Sequence, residues 1–346
     1  MRRYDFHRAA DVSGATDLVL AAGGGADAAH PVRFLAGGTN LIDLIKADVD
    51  RAPAVIDINR LQLKDISETG DGGLRLGALV TNADTASHAL VKARYPLLAQ
   101  AILHGASPQL RNAATNGGNI NQRTRCYYFY DTAAACNKRE PGTGCSAIGG
   151  VTRIHAILGA SGQCIAVHPS DMCVALAALD ATVHVSGAHG ERAIPFADYH
   201  RLPGDAPWRD NTLEAGELVT AITLPPADFS RHYTYLKLRD RQSYAFALVS
   251  VAVAMQIDDA GLIADARVAL GGAAHKPWRV PAAEALLVGA APSREHYERA
   301  AEAILAGAAG HGDNDFKVEL ARRAIVRALE QAASGNAQSH TVKRIL

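Results

Sequence analysis

Long apolar runs are missing from this chain, and so is any excess of charge. No stretch approaches the roughly 18 uninterrupted apolar residues of a membrane-spanning helix, which argues against membrane insertion. Lys and Arg together number 35, and so do Asp and Glu, giving a formal net charge of zero. That leaves no basic footprint for nucleic acid and no polybasic membrane patch. The amino terminus, MRRYDFHRAADVSG, has two arginines but no apolar core followed by a small-residue cleavage site, so it does not read as a secretory leader. Cysteine is scarce, five in all, and every one falls between Cys126 and Cys173. An odd number in one window is not the disulfide framework of a small secreted domain, and it points to a local metal or redox site.

What is there suits two or three domains with substantial cores in 346 residues. ATDLVLAAG reads as a helix and VRFLAGG as a strand ending in a glycine turn. TNLIDLIKAD has apolar residues at helical spacing, with Thr39 or Asn40 as N-cap. AVIDI and LRLGALV read as strands, YPLLAQAILHGA and PSDMCVALAALDA as helices. RIHAILGA and CIAVH, joined by SGQ, carry a hairpin signal. TVHVSG, ERAIP and ELVTAITLP add further strands, and tandem Pro225 and Pro226 mark a boundary near residue 228. Three long strand patterns follow (YTYLKLRD, ALVSVAVAMQID, LIADARVALGG), then helices around 293–309 and 316–334. Strands followed by helices indicate a separate α+β domain. The reading is therefore an α+β protein: a domain over 1–228, with subdomains about 1–58 and 59–228 and a loop insertion at 122–168, a second domain over 229–335, and a loose tail at 336–346.

Two glycine loops carry the first functional signal. FLAGGTNLIDLIK sets Gly37 and Gly38 between a strand and a helix start, where backbone can approach a ligand and unpaired N–H groups face an anion. It is neither the GxGxxG of a Rossmann turn nor a Walker A loop. RNAATNGGNI sets Gly117 and Gly118 among Thr115, Asn116 and Asn119. Each alone is equally a tight turn; together they suit the two phosphates of one dinucleotide.

These stretches, with QLRNAATNGGNINQRTRC, ACNKREPGTGC, HPSDM and LRDRQSYAFALVSVAVA, resemble the FAD-binding subunit of molybdenum hydroxylases of the xanthine oxidase family. The resemblance is narrower still to the flavin subunit of bacterial periplasmic aldehyde oxidoreductases. It covers the chain from Tyr4 to about Ala333, and the cysteine segment is its most specific part. It implies a two-subdomain FAD domain of the vanillyl-alcohol-oxidase type and a C-terminal flavoprotein domain with a three-stranded antiparallel sheet and helices. By this resemblance Phe34, Leu35, Ala36, Gly37, Gly38, Thr39, Asn40 and Leu41 form the first FAD loop. Ala114, Thr115, Gly118 and Asn119 form the second. Asp171 would bind the flavin's sugar-alcohol chain, Lys237 would lie near the ring system, and Val219 would touch it. Read without the family, Asp171 is better taken as a helix N-terminal acid and Lys237 as a strand surface charge.

Cys126, Cys136, Cys145 and Cys164 are separated by nine, eight and eighteen residues. Zinc knuckles of the CxxC kind are absent, yet four dispersed thiolates suit either zinc or a [4Fe–4S] cube. The resemblance favours the cluster, as does a flavin close by. Cys173, in an apolar helix, reads as a core residue. Lys138, Arg139 and Arg125 would offset cluster charge, unless they are ordinary exposed loop cations.

No acid–base pair or nucleophile constellation is present, which suits a subunit whose chemistry belongs to its cofactors. The 14 histidines form no HExxH-type pair, and most read as surface or capping residues. The resemblance implies two partners, a small [2Fe–2S] subunit and a large molybdenum-cofactor subunit, oxidation of aldehydes on the large one, and delivery of electrons from FAD to an external acceptor. It also implies export to the periplasm as a folded complex, on a twin-arginine signal carried by the small subunit. The alternatives are the flavin subunit of a hydroxybenzoyl-CoA-reductase-like enzyme, with electrons flowing the other way, and a zinc-stapled binding module without catalysis.

Overall fold

The computed structural model describes residues 2–23, 31–226 and 228–335; the expected loose tail at 336–346 lies outside them. Three sheets organise the chain. The first is parallel, in the order β1-β3-β2, from β1 (Asp5–Arg8), β2 (Arg33–Leu35) and β3 (Ala54–Asp57). Parallel neighbours need crossovers, and helices Val12–Ala21 and Leu41–Lys46 occur in them. The first is capped by Asp11, whose side chain accepts from the Gly14 N–H. The second starts from Asn40, whose side chain does not cap it.

The second sheet is antiparallel, in the order β4-β5-β8-β6-β7: β4 (Ile66–Glu68), β5 (Leu74–Gly77), β6 (Thr182–Gly187), β7 (Gly190–Pro195) and β8 (Leu218–Leu224). Leu74, Leu76, Val183 and Ile222 share a core with Leu98 of helix Pro96–His104 and Leu176 of helix Asp171–Ala178. Every residue of the latter helix is buried.

The third sheet runs β12-β11-β10-β9, all antiparallel: β9 (His232–Leu238), β10 (Val249–Ile257), β11 (Ile263–Gly271) and the two-residue β12 (Trp278–Arg279). The three long strands are those read in the sequence; the short fourth is an addition. Side chains alternate across a strand, and both faces of β10 are covered. Val249, Val251, Val253 and Met255 share a core with helices Arg294–Ile304 and Phe316–Ala333, while Ala252 and Ala254 belong to the core of helix Asp171–Ala178. That explains why VSVAVAM, Ser250 apart, is apolar. At Gly271 a Cβ would come within 2.5 Å of Val174 Cγ2, so this close approach requires glycine.

One expected element is not formed. RIHAILGA and CIAVH do not form a hairpin ladder; they share an isolated bridge, Ser161 with Cys164, at the turn and one bond from the Ala156 N–H to Ile165 O. The backbone there is tied elsewhere. Ile157 and Leu158 N–H both donate to Ala273 O, and His168 N–H donates to Ala274 O. Asn314 and Lys317 donate to the His155 carbonyl. Partners in the loop after β11 and at the start of the last helix take most of the hydrogen bonds that a ladder would need.

Candidate functional site

A cavity of about 1090 Å³ draws its walls from all three sheet regions, and both glycine loops line it. After β2 the chain turns through Gly38 at φ 70°, a left-handed conformation suited to glycine. Gly37 answers a different need: a Cβ there would stand 1.8 Å from the Ala113 carbonyl oxygen. The first loop thus rests directly on the helix that leads into the second. The second loop is organised by Thr115, whose Oγ1 accepts from the Gly118 N–H at 3.2 Å. Gly117 N–H donates to Ala78 O at 2.8 Å, and a Cβ on Gly117 would meet Ala78 Cβ at 3.1 Å. A Cβ on Gly118 would meet only Thr115 Oγ1, at 3.0 Å.

The cavity wall holds donors that have no acceptor. Asn40 Oδ1 accepts from the Arg123 N–H at 2.9 Å, but its buried Nδ2 has no partner, and neither has Arg125 Nε. Buried polar atoms without partners are uncommon. Both residues line the large cavity, so the site fits a ligand rich in acceptors, as a dinucleotide diphosphate is.

Helix Asp171–Ala178 and β9 supply a buried charged contact. Asp171 Oδ2 lies 2.7 Å from Lys237 Nζ, and Tyr235 donates its hydroxyl to Asp171 Oδ1 at 2.6 Å. Lys237 also donates to His104 O at 3.1 Å. Burial, then the Asp171 charge, drive the Tyr235 hydroxyl well above its ordinary range, so it stays a donor. A second charged group stands at another wall. Asp210 Oδ1 is 2.5 Å from Lys138 Nζ, and Asp210 Oδ2 is 2.7 Å from Arg123 Nε. Burial alone would raise the Asp210 carboxyl, but Lys138 and Arg123 hold it well below the usual carboxylate range.

Beside this wall lies a second, small cavity lined by Cys126, Cys136, Cys145 and Cys164. All four are free thiols, with Cys145 partly buried and the others buried. Cys136 and Cys145 face each other across an antiparallel bridge. Asn137 Oδ1 closes the intervening turn, accepting from Gly142 and Gly144 N–H at 3.1 and 2.8 Å. Cys126 starts the short helix Tyr127–Tyr130, and Cys164 comes from the Ser161 turn. Burial pushes the Cys126 thiol up to about 12 and the Cys164 thiol up to about 11. Only a bound cation would keep such groups as thiolates near neutral pH. Cys173 stands apart, fully buried in the core of the second sheet.

Residues 2–227 match the family of FAD binding domains in molybdopterin dehydrogenases, and residues 231–332 match the CO dehydrogenase flavoprotein C-terminal domain. The chain belongs to the FAD-binding medium subunits of the xanthine oxidase family. It is 49% identical over 303 residues to the aldehyde oxidoreductase FAD-binding subunit PaoB of Escherichia coli K12, covering 87% of this chain and 91% of that one. The carbon monoxide dehydrogenase medium chain of Afipia carboxidovorans is 27% identical, covering 95% and 96%. Among solved structures, carbon monoxide dehydrogenase from Hydrogenophaga pseudoflava superposes with a TM-score of 0.74 at 27% identity, covering 96% of this chain and 98% of that one.

Within this FAD-binding subunit, Phe34, Ala36, Gly37, Gly38, Thr39, Asn40, Leu41, Ala114, Thr115, Gly118, Asn119, Asp171, Val219 and Lys237 all line the large cavity. Leu35 does not; it packs against the small cluster of Ile45, Ala52 and Val55. Arg123 and Asp210 were not read from the sequence, since they meet across 87 positions and no local motif marks either. Burial decides between the alternatives for two of the cations. Lys138 and Arg139 are not exposed loop cations: Lys138 is 2% exposed, and Arg139, at 3%, donates to the carbonyls of Tyr128, Phe129 and Asp131. Five of the histidines, His104, His155, His168, His200 and His275, are buried.

Among the described residues no helix is long and apolar enough to cross a membrane.

Proposed function

We propose that this subunit carries electrons in a molybdenum hydroxylase that oxidises aldehydes, taking them from [2Fe–2S] centres on a small partner and passing them through FAD to an external acceptor. The observation that carries the reading is the cavity with two glycine loops and unpartnered donors at Asn40 and Arg125. The aldehyde substrate rests on the likeness to the Escherichia coli subunit, and the large molybdenum-cofactor partner on the family. FAD when bound supplies exchange of one or two electrons. The chain's own work is to hold it. Loop residues Gly37 to Asn40 offer N–H groups and the Asn40 amide to the diphosphate, while the second loop, whose N–H groups from Asn116 to Asn119 are bonded within the protein, supplies glycine surface that a ligand can approach closely. The Asp171–Lys237 pair and Val219 bound the rest of the cavity.

We assign Cys126, Cys136, Cys145 and Cys164 as ligands of a [4Fe–4S] cluster. Four free cysteines around one cavity support it. Their spread supports it over zinc. A single tetrahedral zinc at about 2.3 Å would draw sulfurs to about 3.8 Å from one another. Among the described residues, only His168, Cys173 and His200 gather three ligand atoms as close as 4.8 Å. As for location, we propose that the subunit reaches the periplasm folded, with its partners, on a signal borne by the small subunit. Recovery of the complex in the periplasmic fraction, lost when that partner's leader is deleted, tests this; a complex found only in the cytoplasm refutes it. The test of the main reading is the absorption spectrum of protein purified without oxygen, with flavin and iron per chain. A protein holding neither would overturn it.

A further inference from the structure

Lys138 is the one described residue that lines both cavities. It follows Cys136 by two positions, and its ammonium is turned away from solvent, with the side chain 1% exposed. The Nζ donates to Pro207 O at 2.7 Å and to Asp210 Oδ1 at 2.5 Å. Asp210 is in turn held by Arg123 Nε at 2.7 Å, and the Arg123 guanidinium lies over the Phe129 ring, 4.8 Å from its centroid. Arg123 also donates its backbone N–H to Asn40 of the first glycine loop. The trio therefore joins the flavin loop, the cysteine segment and the strand of chain from Pro207 to Asp210.

The charge of this junction is not balanced. Two cations face one carboxylate, leaving one positive charge. His275, 3.9 Å from the same carboxylate, does not change that count: burial, then Lys138, push it down to about 3, so it is neutral at ordinary pH. Asp50, whose charge also acts on Arg123, is paired with Arg33 at 2.8 Å. A charge enclosed by protein acts over a longer range than one in water, because the surrounding dielectric is low.

We propose that Lys138, anchored by Asp210, is a positioning residue that couples the two redox sites: its buried positive charge favours electron uptake in both cavities at once. The proposal rests on the reading of the cysteine cavity as a cluster site, and for the flavin cavity it stands independently. Asp210 sets the size of the effect, since it partly cancels the cations and fixes where the ammonium sits. One charge thus raises both potentials together.

The experiment is a redox titration of purified holoprotein, following flavin absorbance and, separately, the paramagnetic signal of the reduced cluster. Flavin and iron content are measured on every sample. Lys138→Met is expected to move both midpoint potentials to more negative values, and Asp210→Asn to move both to more positive values. Lys138→Arg, which keeps the charge, is expected to stay near the parent. Should Lys138→Met not accumulate with its flavin, Arg123→Gln removes one unit of the same charge from the flavin side and is expected to shift in the same direction. Shifts of the same sign in Lys138→Met and Asp210→Asn, or a shift in one cofactor alone, overturn the coupling. A parent protein with flavin but without iron overturns the cluster reading instead, and the flavin titration then decides the role of Lys138.

Discussion

Lys237 Nζ and Asp171 Oδ2 stand 2.7 Å apart, with side chains only 1% and 7% exposed. Residues separated by 66 positions thus form one buried unit, joined by the Tyr235 hydroxyl. The sequence suggested two independent flavin contacts, whereas the structure makes each residue the condition for burying the other. Neither the helix-terminal role for Asp171 nor a surface role for Lys237 accounts for this burial.

Asp171→Asn is accordingly expected to destabilise the protein by roughly 3–5 kcal/mol, because it leaves the Lys237 ammonium buried without its counter-charge. The double variant Asp171→Asn with Lys237→Met is expected to recover part of that loss while remaining poor in flavin. Denaturant unfolding and flavin content check both. A single variant as stable as the parent contradicts the account.

The two glycine loops are predicted to respond differently to the same change. Gly37→Ala drives a methyl into the Ala113 carbonyl and so separates the loops. It is expected to lower both stability and flavin content. Gly118→Ala meets only the Thr115 hydroxyl. It is expected to fold normally and bind flavin more weakly. Thermal melts with and without added FAD distinguish the two cases.

Lys317 gives a pH signature. Its ammonium is buried, donates to His155 O and Gly272 O, and burial lowers it from 10.5 to about 7. Below pH 7 it is charged in both folded and unfolded chains, and the cost of burying the charge is complete. Between about pH 7 and 10.5 the unfolded chain holds more protons than the folded one, so this group makes stability rise with pH. Lys317→Met is expected to remove that rise. The difference between parent and variant unfolding free energies, measured from pH 6 to about 10, tests it; a flat difference refutes it.

Much of this was legible beforehand. Strand and helix periods survive folding where a segment buries one face against its neighbour, as in β10 and the helix Phe316–Ala333. They failed in RIHAILGA, where apolar alternation was real but the backbone partners lie on Ala273 and Ala274, more than a hundred positions away. The glycine loops could be read because the need for glycine is local. The Arg123–Lys138–Asp210 junction could not, because each member is an ordinary charge until the fold brings 123, 138 and 210 together. Lys138 was noticed only as a neighbour of Cys136, and nothing in the sequence tells a buried cation from a solvated one.

The cysteines separate the ligand set from the core. Cys126→Ser, Cys136→Ser, Cys145→Ser and Cys164→Ser are each expected to lose iron, since a harder oxygen is a poor substitute for thiolate in such a cluster. Cys173→Ser is expected to keep it, with a loss of roughly 1–3 kcal/mol in stability for a buried hydroxyl that finds no partner. Loss of iron in Cys173→Ser and its retention in Cys164→Ser would reverse the assignment.

The most direct measurement is metal and flavin per chain in protein purified without oxygen, read with its absorption spectrum. The account predicts about one FAD and about four irons per chain, the iron set by a [4Fe–4S] cluster, with a broad iron–sulfur shoulder beneath the flavin bands. Flavin-free protein, or zinc in place of iron, would contradict it.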